Sequence, residues 1–532
     1  MELAEIKHFL NELEKEMRPL YKAYRHDEWD AQVNGSDENF KKAEESEVAY
    51  NLFLNNKEHF EKLKALNEKD FDDPILKRQI DVLYRSFLSS QGDEELLKEM
   101  ARLNSEASKL FNNYRGEIDG KSYTDNEMDD IIKKSTDNVL LEKVWEANKK
   151  RGSLVEPILI ELVKLRNKHA KNLSFNNYYE FSLFIEEQTS EEILSTFDEL
   201  TENLDDSWEA LKKDMDEKIA KRLEISVEEL KPWHYQNFYF QDAPVTEEFD
   251  LDEYYTGDVV KNSADFFDGI GLNVKAIIDR SSLYPQEGKC QHAFAEDTDR
   301  DGDVRTLINA ANNERWSETT LHELGHCVYW SYMDPTIPYF IRETAHTFTT
   351  EAVAMMFGRL PKTLPFLKQY TEKELPADEE PLRKKMKDHL RTGLLVVAQW
   401  IQVMTRFEKA MYENPDQNLN LLWWDLVKKY QKVNFSRDKP DWASKIHFAI
   451  APVYYHNYLL GEVLASQFHA KNAELTGQKE LDMVDYVGKH EIGLFLREKV
   501  FNAGNKYHWN TMIEKATGEK LTTKYFIEQF KE

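Results

Sequence analysis

The fold of this chain is constrained most by long segments in which apolar residues recur at three- and four-residue spacing, the period of an amphipathic helix. Residues 191–223 contain neither proline nor glycine and are rich in charged side chains, so they predict one long helix with an exposed face. Capping boxes at Thr189 and Ser226, each with a Glu three residues later, mark helix starts. The sequence therefore predicts an all-α protein.

No composition shift marks a domain boundary. The 19 glycines and 15 prolines are spread thinly over 532 residues, and there is no repeat, low-complexity tract or Gly/Ser linker. Hydrophobic residues make up 41% of the chain, which is enough for a large core. We therefore interpret residues 1–532 as a single domain with more than one lobe.

The charge balance excludes several classes of partner. The net charge is −28, and such a field disfavours nucleic acid and anionic membranes. There is no run of eighteen apolar residues, and the N-terminal residues lack the pattern of a signal peptide. We expect no nucleic-acid or membrane partner and favour the cytoplasm, with an exported protein trimmed of its signal as the alternative. Cys290 and Cys327 are expected to be free thiols, with one bridge between them as the alternative.

The run HELGH at residues 322–326 carries the clearest chemical signal. It places His322 and His326 at positions i and i+4, on one face of a helix, where both imidazoles can bind one zinc ion. Glu323 projects roughly 100° around the helix from His322, where it can accept a proton from a water molecule on the metal. The run thus predicts two metal ligands and a general base.

A third ligand is needed, because a catalytic zinc ion usually has three protein ligands and one open position. Glu351 lies in the apolar helical run at residues 349–357, where a buried carboxylate requires a cation. We predict that His322, His326 and Glu351 bind one Zn²⁺ per chain. The alternative is that Glu351 lies on the solvent-facing edge of its helix.

One region departs from the helical pattern. Two short extended runs, residues 291–295 and 304–308, flank the acidic segment 297–303. Its spacing is similar to the start of a calcium loop, but Ile308 stands where that loop needs a bidentate Glu. Asp301-Gly302 is a favoured hairpin turn, so we predict a small β-hairpin whose free edge can pair with an extended chain.

Six segments stand in order along the chain: CQHAFAED at 290–297, HELGH at 322–326, RETA at 342–345 with Glu351 beyond, WWDLVKKYQ at 423–431, KIH at 445–447 and PVYYHNY at 452–458. In this order they resemble the active-site segments of the angiotensin-converting enzyme family of zinc peptidyl-dipeptidases. Weaker similarity at Trp29 and at residues 162–167 extends the resemblance over most of the chain. It implies a large all-α zincin metallopeptidase, in which two helical lobes flank a deep central cleft with a small β-hairpin at the active site.

The resemblance also implies catalytic roles for named residues. Glu323 would take a proton from the attacking water and pass it to the leaving amine. His447 and Tyr458 would be catalytic residues that stabilise the transition state. On the residues alone, either His447 or Tyr458 could equally be packed in the core.

Substrate binding is implied by the same resemblance. Lys445 and Tyr455 would bind the free C-terminal carboxylate of a short peptide, so that a dipeptide is removed from the C-terminus. His292 and the backbone of Ala293 would bind the substrate main chain. Gln236 is the candidate for a glutamine that assists at the carboxylate.

Two positions depart from the family pattern. Asn457 stands where the family often has a chloride-binding arginine, so the sequence predicts no chloride activation through that position. Zinc sites of this type commonly have an aspartate four residues after the third ligand, where it orients one histidine. Here that residue is Met355, so either another group orients the ring or the affinity for metal is lower.

Two alternatives remain. Residues 455–464 also resemble the thimet oligopeptidase family, whose members cut inside short peptides, but residues 448–452 lack the glycines which that family has after its histidine. The other alternative, from a different class, is a peptide-binding protein with a degenerate zinc site. The presence of Glu323 argues against it, because a purely structural site needs no base.

Overall fold

The computed structural model describes residues 2–246 and 249–531. Helix accounts for 68% of the residues and strand for 3%, which confirms the all-α prediction. Within the described residues no helix is long and apolar enough to cross a membrane. Both cysteines are free thiols, as expected.

The α-helices, in chain order, are α1 (Leu3–Val33), α2 (Asp37–Leu54), α3 (Lys57–Asn67), α4 (Pro74–Ser89), α5 (Glu94–Asn113), α6 (Asp125–Lys134), α7 (Asn138–Asn172), α8 (Tyr178–Ile185), α9 (Ser190–Leu223), α10 (Val259–Gly269), α11 (Lys275–Ile278), α12 (Glu314–Ser331), α13 (Thr347–Gly358), α14 (Leu364–Tyr370), α15 (Glu380–Glu413), α16 (Leu419–Leu426), α17 (His447–Ile450), α18 (His456–Leu475), α19 (His490–Phe495), α20 (Trp509–Thr517) and α21 (Lys524–Phe530). Short 3-10 helices span Val227–Glu229, Pro232–His234, Asp252–Tyr254, Tyr339–Ile341, Leu360–Lys362, Asp441–Ser444, Leu481–Met483 and Phe501–Ala503. Single π-helical turns span Val427–Gln431 and Leu496–Val500.

The strands form two antiparallel pairs. Strands β1 (Gly116–Ile118) and β2 (Lys121–Tyr123) make one pair. Strands β3 (Phe294–Asp297) and β4 (Val304–Leu307) make the other, with Phe294 opposite Leu307 and Asp297 opposite Val304. The predicted hairpin is thus present.

The long helix predicted at residues 191–223 is α9. It begins where the Thr189 hydroxyl accepts the backbone N–H of Glu192, and it buries Phe197, Leu204 and Trp208 along one face. The capping box at Ser226 begins only the short helix Val227–Glu229. Pro232 follows closely, and a proline ends a helix because it lacks an N–H and restricts the residue before it.

The chain divides into two compact units. The first comprises Met1–Gln91, Asp250–Lys387 and Leu460–Gln529, and the second comprises Gly92–Phe249, Asp388–Leu459 and Phe530–Glu532. Each unit has its own core, because apolar helix faces in each are buried against one another. In the first, helices α1 to α4 close over buried residues such as Ile80 and Phe87. In the second, the Trp145 ring packs against those of Trp233 and Trp424.

Candidate active site

The three predicted metal ligands meet where α12 packs against α13 in the first unit. His322 and His326 lie one turn apart on α12, and Glu351 lies on α13. The Nε2 atoms of His322 and His326 are 3.6 and 3.8 Å, respectively, from Oε2 of Glu351. Ligands around a tetrahedral zinc ion lie roughly 3.3 Å apart, because each metal–ligand bond is about 2.0–2.1 Å. Two imidazoles and one carboxylate at this spacing fit a zinc ion.

Two glycines allow the close helix packing that this cluster requires. A Cβ added at Gly325 would lie 2.8 Å from Cα of Ala354. Because Gly325 has no side chain, α12 lies close to the backbone of α13 at this point. A Cβ added at Gly461, on α18, would lie 3.2 Å from Cβ of Glu351 and 3.0 Å from Sδ of Met355. Larger residues at either position would push the ligand-bearing helix away.

A hydroxyl orients one of the ligand rings. Oγ1 of Thr350 lies 2.8 Å from Nδ1 of His326, and both side chains are buried. The second ring nitrogen of a metal-binding histidine usually donates a hydrogen bond that fixes the ring, and Thr350 is in position to accept it. The Met355 side chain contacts the Gly461 position instead. The sequence shows that Met355 stands in place of the aspartate, but it does not show that Thr350 contacts the His326 ring.

Burial sets the protonation states of the candidate metal ligands and of Glu323. It lowers the pKa of His322 to about 4 and lowers that of His326 well below its usual value, so both imidazoles are neutral, as metal ligands must be. Burial, with a smaller contribution from the Glu351 charge, raises the pKa of Glu323 to about 8. A cation bound at the three ligands would favour the ionised carboxylate and act against this rise.

The hairpin loop differs from the tight turn that the sequence predicts. Residues 298–303 form a longer loop, in which Arg300 and Gly302 adopt positive φ values of 56° and 100°. Oδ1 of Asp299 accepts the N–H groups of Asp301 and Asp303. These bonds hold the loop in place.

Basic side chains of α1 also hold this loop. Lys22 donates to Asp299 at 3.0 Å, and Arg18 pairs with Asp301. Arg342 pairs with Asp301 as well. The acidic oxygens are therefore engaged by cationic groups of the protein itself.

His292 and Ala293 precede β3. The His292 side chain is exposed, and Ala293 is half-buried against a small apolar cluster that includes Val260 and Ile308. In the described part of the chain β4 is the one strand that pairs with β3. The predicted roles of His292 and Ala293 in binding a substrate main chain stay predictions.

Four more predicted residues lie in the second unit, and three of them are in ring contact. The Tyr455 ring is 5.1 Å from that of His447 and 5.4 Å from that of Tyr458. The Tyr455 hydroxyl accepts a hydrogen bond from Nε1 of Trp400 at 2.9 Å. Burial and the charge of Lys445 lower the pKa of His447 to about 4. Nδ1 of His447 is buried and has no hydrogen-bond partner among the described residues.

Lys445 lies in a buried pocket with aromatic walls. Its Nζ is 5.0, 5.2 and 5.5 Å from the ring centres of Tyr239, Trp400 and Tyr455, respectively. It donates a 2.6 Å hydrogen bond to Oε1 of Gln241. Burial lowers the pKa of Lys445 to about 8.

The glutamine that bonds to Lys445 is Gln241 and not Gln236, the candidate from the sequence. The Gln236 side chain bonds instead to the backbone N–H and C=O of Val245. Residues 236 and 240 both have positive φ, so the chain turns twice between the two glutamines. Spacing in the sequence carries no information about direction in such an irregular loop, which is why Gln241 was missed.

Asn457 stands where the resemblance led us to look for a chloride-binding arginine. Its side-chain oxygen accepts a 3.0 Å hydrogen bond from Gln188, and Gln188 also lies 2.8 Å from Nε2 of His456. All three side chains are buried. An uncharged hydrogen-bonded group therefore occupies this position.

A family model described as angiotensin-converting enzyme matches residues 1–532, the whole chain. None of the curated proteins compared with the chain matches it. The matched span includes both compact units, the metal cluster and the pocket around Lys445.

Proposed function

Because the chain belongs to the angiotensin-converting enzyme family, and is therefore a zinc metallopeptidase that acts on peptides, we propose that it is a peptidyl-dipeptidase. It would remove dipeptides from the free C-terminus of short peptides. The observation that carries this proposal is the buried ammonium group of Lys445. A group of this kind, held in a fixed place, selects substrates by their terminal carboxylate.

Within the described residues, Lys445 has no counter-ion of the kind that a buried charge normally has. Its hydrogen-bond partner, Gln241, is neutral, and no carboxylate among the described residues forms an ion pair with it. The Asp242 charge acts on it from a longer distance. An unpaired buried cation is costly, and a substrate carboxylate would supply both charge compensation and hydrogen-bond acceptors. The Tyr455 hydroxyl would add a further contact.

His322, His326 and Glu351 would hold the zinc ion, which when bound polarises a peptide carbonyl and makes a water molecule easier to deprotonate. Glu323 accepts the proton of the attacking water and delivers it to the nitrogen of the leaving dipeptide as the C–N bond breaks. Burial of Glu323 suits both steps, because it brings the pKa of this carboxyl nearer to neutral pH.

His447 and Tyr458 would donate hydrogen bonds to the oxygen on which negative charge develops. The support for His447 is its unpartnered Nδ1, and the support for Tyr458 is the resemblance to the family. His292 and the Ala293 backbone would bind the substrate main chain beside strand β3, since a strand edge can pair with an extended peptide. We also propose that residues 1–532 act as one catalytic domain made of two helical lobes.

The decisive experiment compares one unstructured decapeptide with a free and an amidated C-terminus, with product masses measured over time. The zinc-loaded protein should release dipeptides in sequence from the free acid, cut the amide at least roughly 10-fold more slowly, and stop when chelator is added. Lys445→Met should remove most of the preference for the acid while zinc content stays the same. Lys439→Met, at an exposed lysine, is the matched control and should keep the preference.

Other outcomes would redirect the assignment. Internal cleavage of both peptides at similar rates would replace this proposal with a thimet-type oligopeptidase. Binding of both peptides without cleavage, by a protein that holds zinc, would indicate a peptide-binding protein instead.

A further inference from the structure

Residues 448–453 join His447 to the segment that carries Tyr455 and Tyr458, and a buried arginine holds the start of this connection. Arg166, on α7, is 5% exposed. Its guanidinium donates to the carbonyl oxygens of Phe448 at 2.8 Å and Ala449 at 2.5 Å, and to the Tyr412 hydroxyl at 3.1 Å. The planar guanidinium group thus holds two successive carbonyls in one fixed orientation.

A buried carboxyl group holds the other end. Glu408, on α15, is 3% exposed, and its Oε1 accepts the backbone N–H of Val453 at 2.9 Å. Val453 has a φ of 56°, in the left-handed region. A β-branched residue is a true outlier there, because its side chain crowds its own backbone. Such a conformation persists only where the surrounding structure holds it.

Lys445 lies just before this connection and Tyr455 just after it, and the Lys445 ammonium is 5.5 Å from the Tyr455 ring centre. The conformation of residues 448–453 therefore sets how these two groups face one another. We propose that Arg166 and Glu408 are positioning residues, which keep Val453 in its left-handed conformation and so hold Lys445 and Tyr455 in the arrangement that binds a substrate carboxylate. This inference rests on the proposed function of Lys445 and Tyr455.

The test uses the full chain loaded with zinc, with two readouts for every variant. One is the melting temperature, and the other is kcat and KM for the free-acid and amidated decapeptides. Glu408→Leu removes the acceptor at similar size, and should lower the melting temperature by about 2–6 °C because the Val453 N–H is left buried without a partner. It should also raise KM for the free acid by roughly 10-fold and change kcat by less than about 2-fold.

Val453→Gly separates positioning from stability. Glycine adopts positive φ without strain, which offsets the loss of the buried Val453 side chain, so this variant should lower the melting temperature by less than Glu408→Leu does. It should nevertheless raise KM for the free acid, since the connection is then free to adopt other conformations. Glu408→Gln keeps an oxygen acceptor, so its melting temperature and its KM for the free acid should match those of the wild type. Glu413→Leu, at a half-exposed carboxylate on the same helix, is the matched control and should change neither.

The preference of the wild-type protein for the free acid separates a failure of the proposed function from a failure of the positioning role. If it shows no preference for the free acid, the proposed function is overturned and this inference with it. If the wild type prefers the acid, and Glu408→Leu and Val453→Gly retain the same KM and the same preference, the positioning role alone is overturned. Should Glu408→Leu not fold, Arg166→Lys and Val453→Gly still provide the comparison.

Discussion

Oγ1 of Thr350 lies 2.8 Å from Nδ1 of His326, and Thr350 directly precedes Glu351 on α13. One helix thus carries a predicted metal ligand, Glu351, and the hydroxyl that contacts a second predicted ligand, His326, on α12. Any shift of α13 moves both contacts together. The Thr350 hydroxyl is placed to orient the His326 ring, which the Met355 side chain cannot do.

Thr350→Val should weaken zinc binding by about 10- to 100-fold, because the His326 ring loses the hydrogen bond that orients it. Valine matches threonine in shape, so packing is kept. Zinc affinity measured by competition with a chromophoric chelator checks this without reference to activity. Thr350→Ser should bind zinc as the wild type does, and Thr347→Val, at the start of α13, is the control.

Gly325→Ala should destabilise the protein by about 1–3 kcal/mol and weaken its zinc binding, since the new methyl group would meet the α13 backbone at Ala354. The melting temperature with and without zinc measures both effects. Gly393→Ala, within α15, is the matched control. A Cβ at Gly393 meets no atom within 4 Å, so this change should stabilise the helix by about 0.5–1 kcal/mol.

Glu323→Gln should lower kcat/KM by about 10²- to 10⁴-fold, because glutamine cannot accept the proton of the attacking water. The zinc content should stay the same, since Glu323 is not one of the three clustered ligands. Steady-state kinetics together with metal analysis test this. Near-normal turnover would remove Glu323 from the mechanism.

Glu408 should make stability depend on pH. Burial raises the pKa of its carboxyl to about 8, against a usual value of 4.5, while the Val453 N–H and Arg166 act to lower it. Between these two pKa values the folded protein binds more protons than the unfolded chain. The stabilisation is therefore complete below about pH 4.5 and is lost as pH rises towards 8, by up to about 1.4 kcal/mol per pH unit.

Glu408→Gln does not titrate, so its free energy of unfolding should fall less than that of the wild type between pH 5 and pH 8. Denaturant unfolding at several pH values measures the difference. In the part of the chain that the structure describes, this carboxyl interacts electrostatically with Arg166, with Tyr412 on the same helix and with Tyr179 on α8. Parallel curves for the two proteins would show that Glu408 is ionised throughout.

Helix content and the metal cluster were predictable because their signals are local. The i, i+4 spacing of His322 and His326 needs only helix geometry, and Glu351 stands out as a carboxylate in an apolar run. The hairpin was also predictable, because acidic and turn-forming residues interrupt two extended runs. Its loop length was not, because the bonds made by Asp299 replace the expected two-residue turn.

Other parts of the site have no local signal. Thr350 lies in an apolar helical run, and nothing in its spacing shows which way α13 is rotated towards α12. Gln241 lies in an irregular loop, in which direction changes at single residues with positive φ. Arg166 and Glu408 both bond to residues 448–453. Arg166 lies far from that segment along the chain, and contacts at such a separation depend on tertiary packing.

The contacts between α1 and the hairpin loop have a consequence for the order in which the protein assembles during translation. Lys22 is made 277 residues before its partner Asp299. At about 5–20 residues per second, the ribosome needs about 14–55 s to cover that distance. Throughout this interval Arg18 and Lys22 lack their acidic partners in the loop, which become available only after the hairpin has been synthesised.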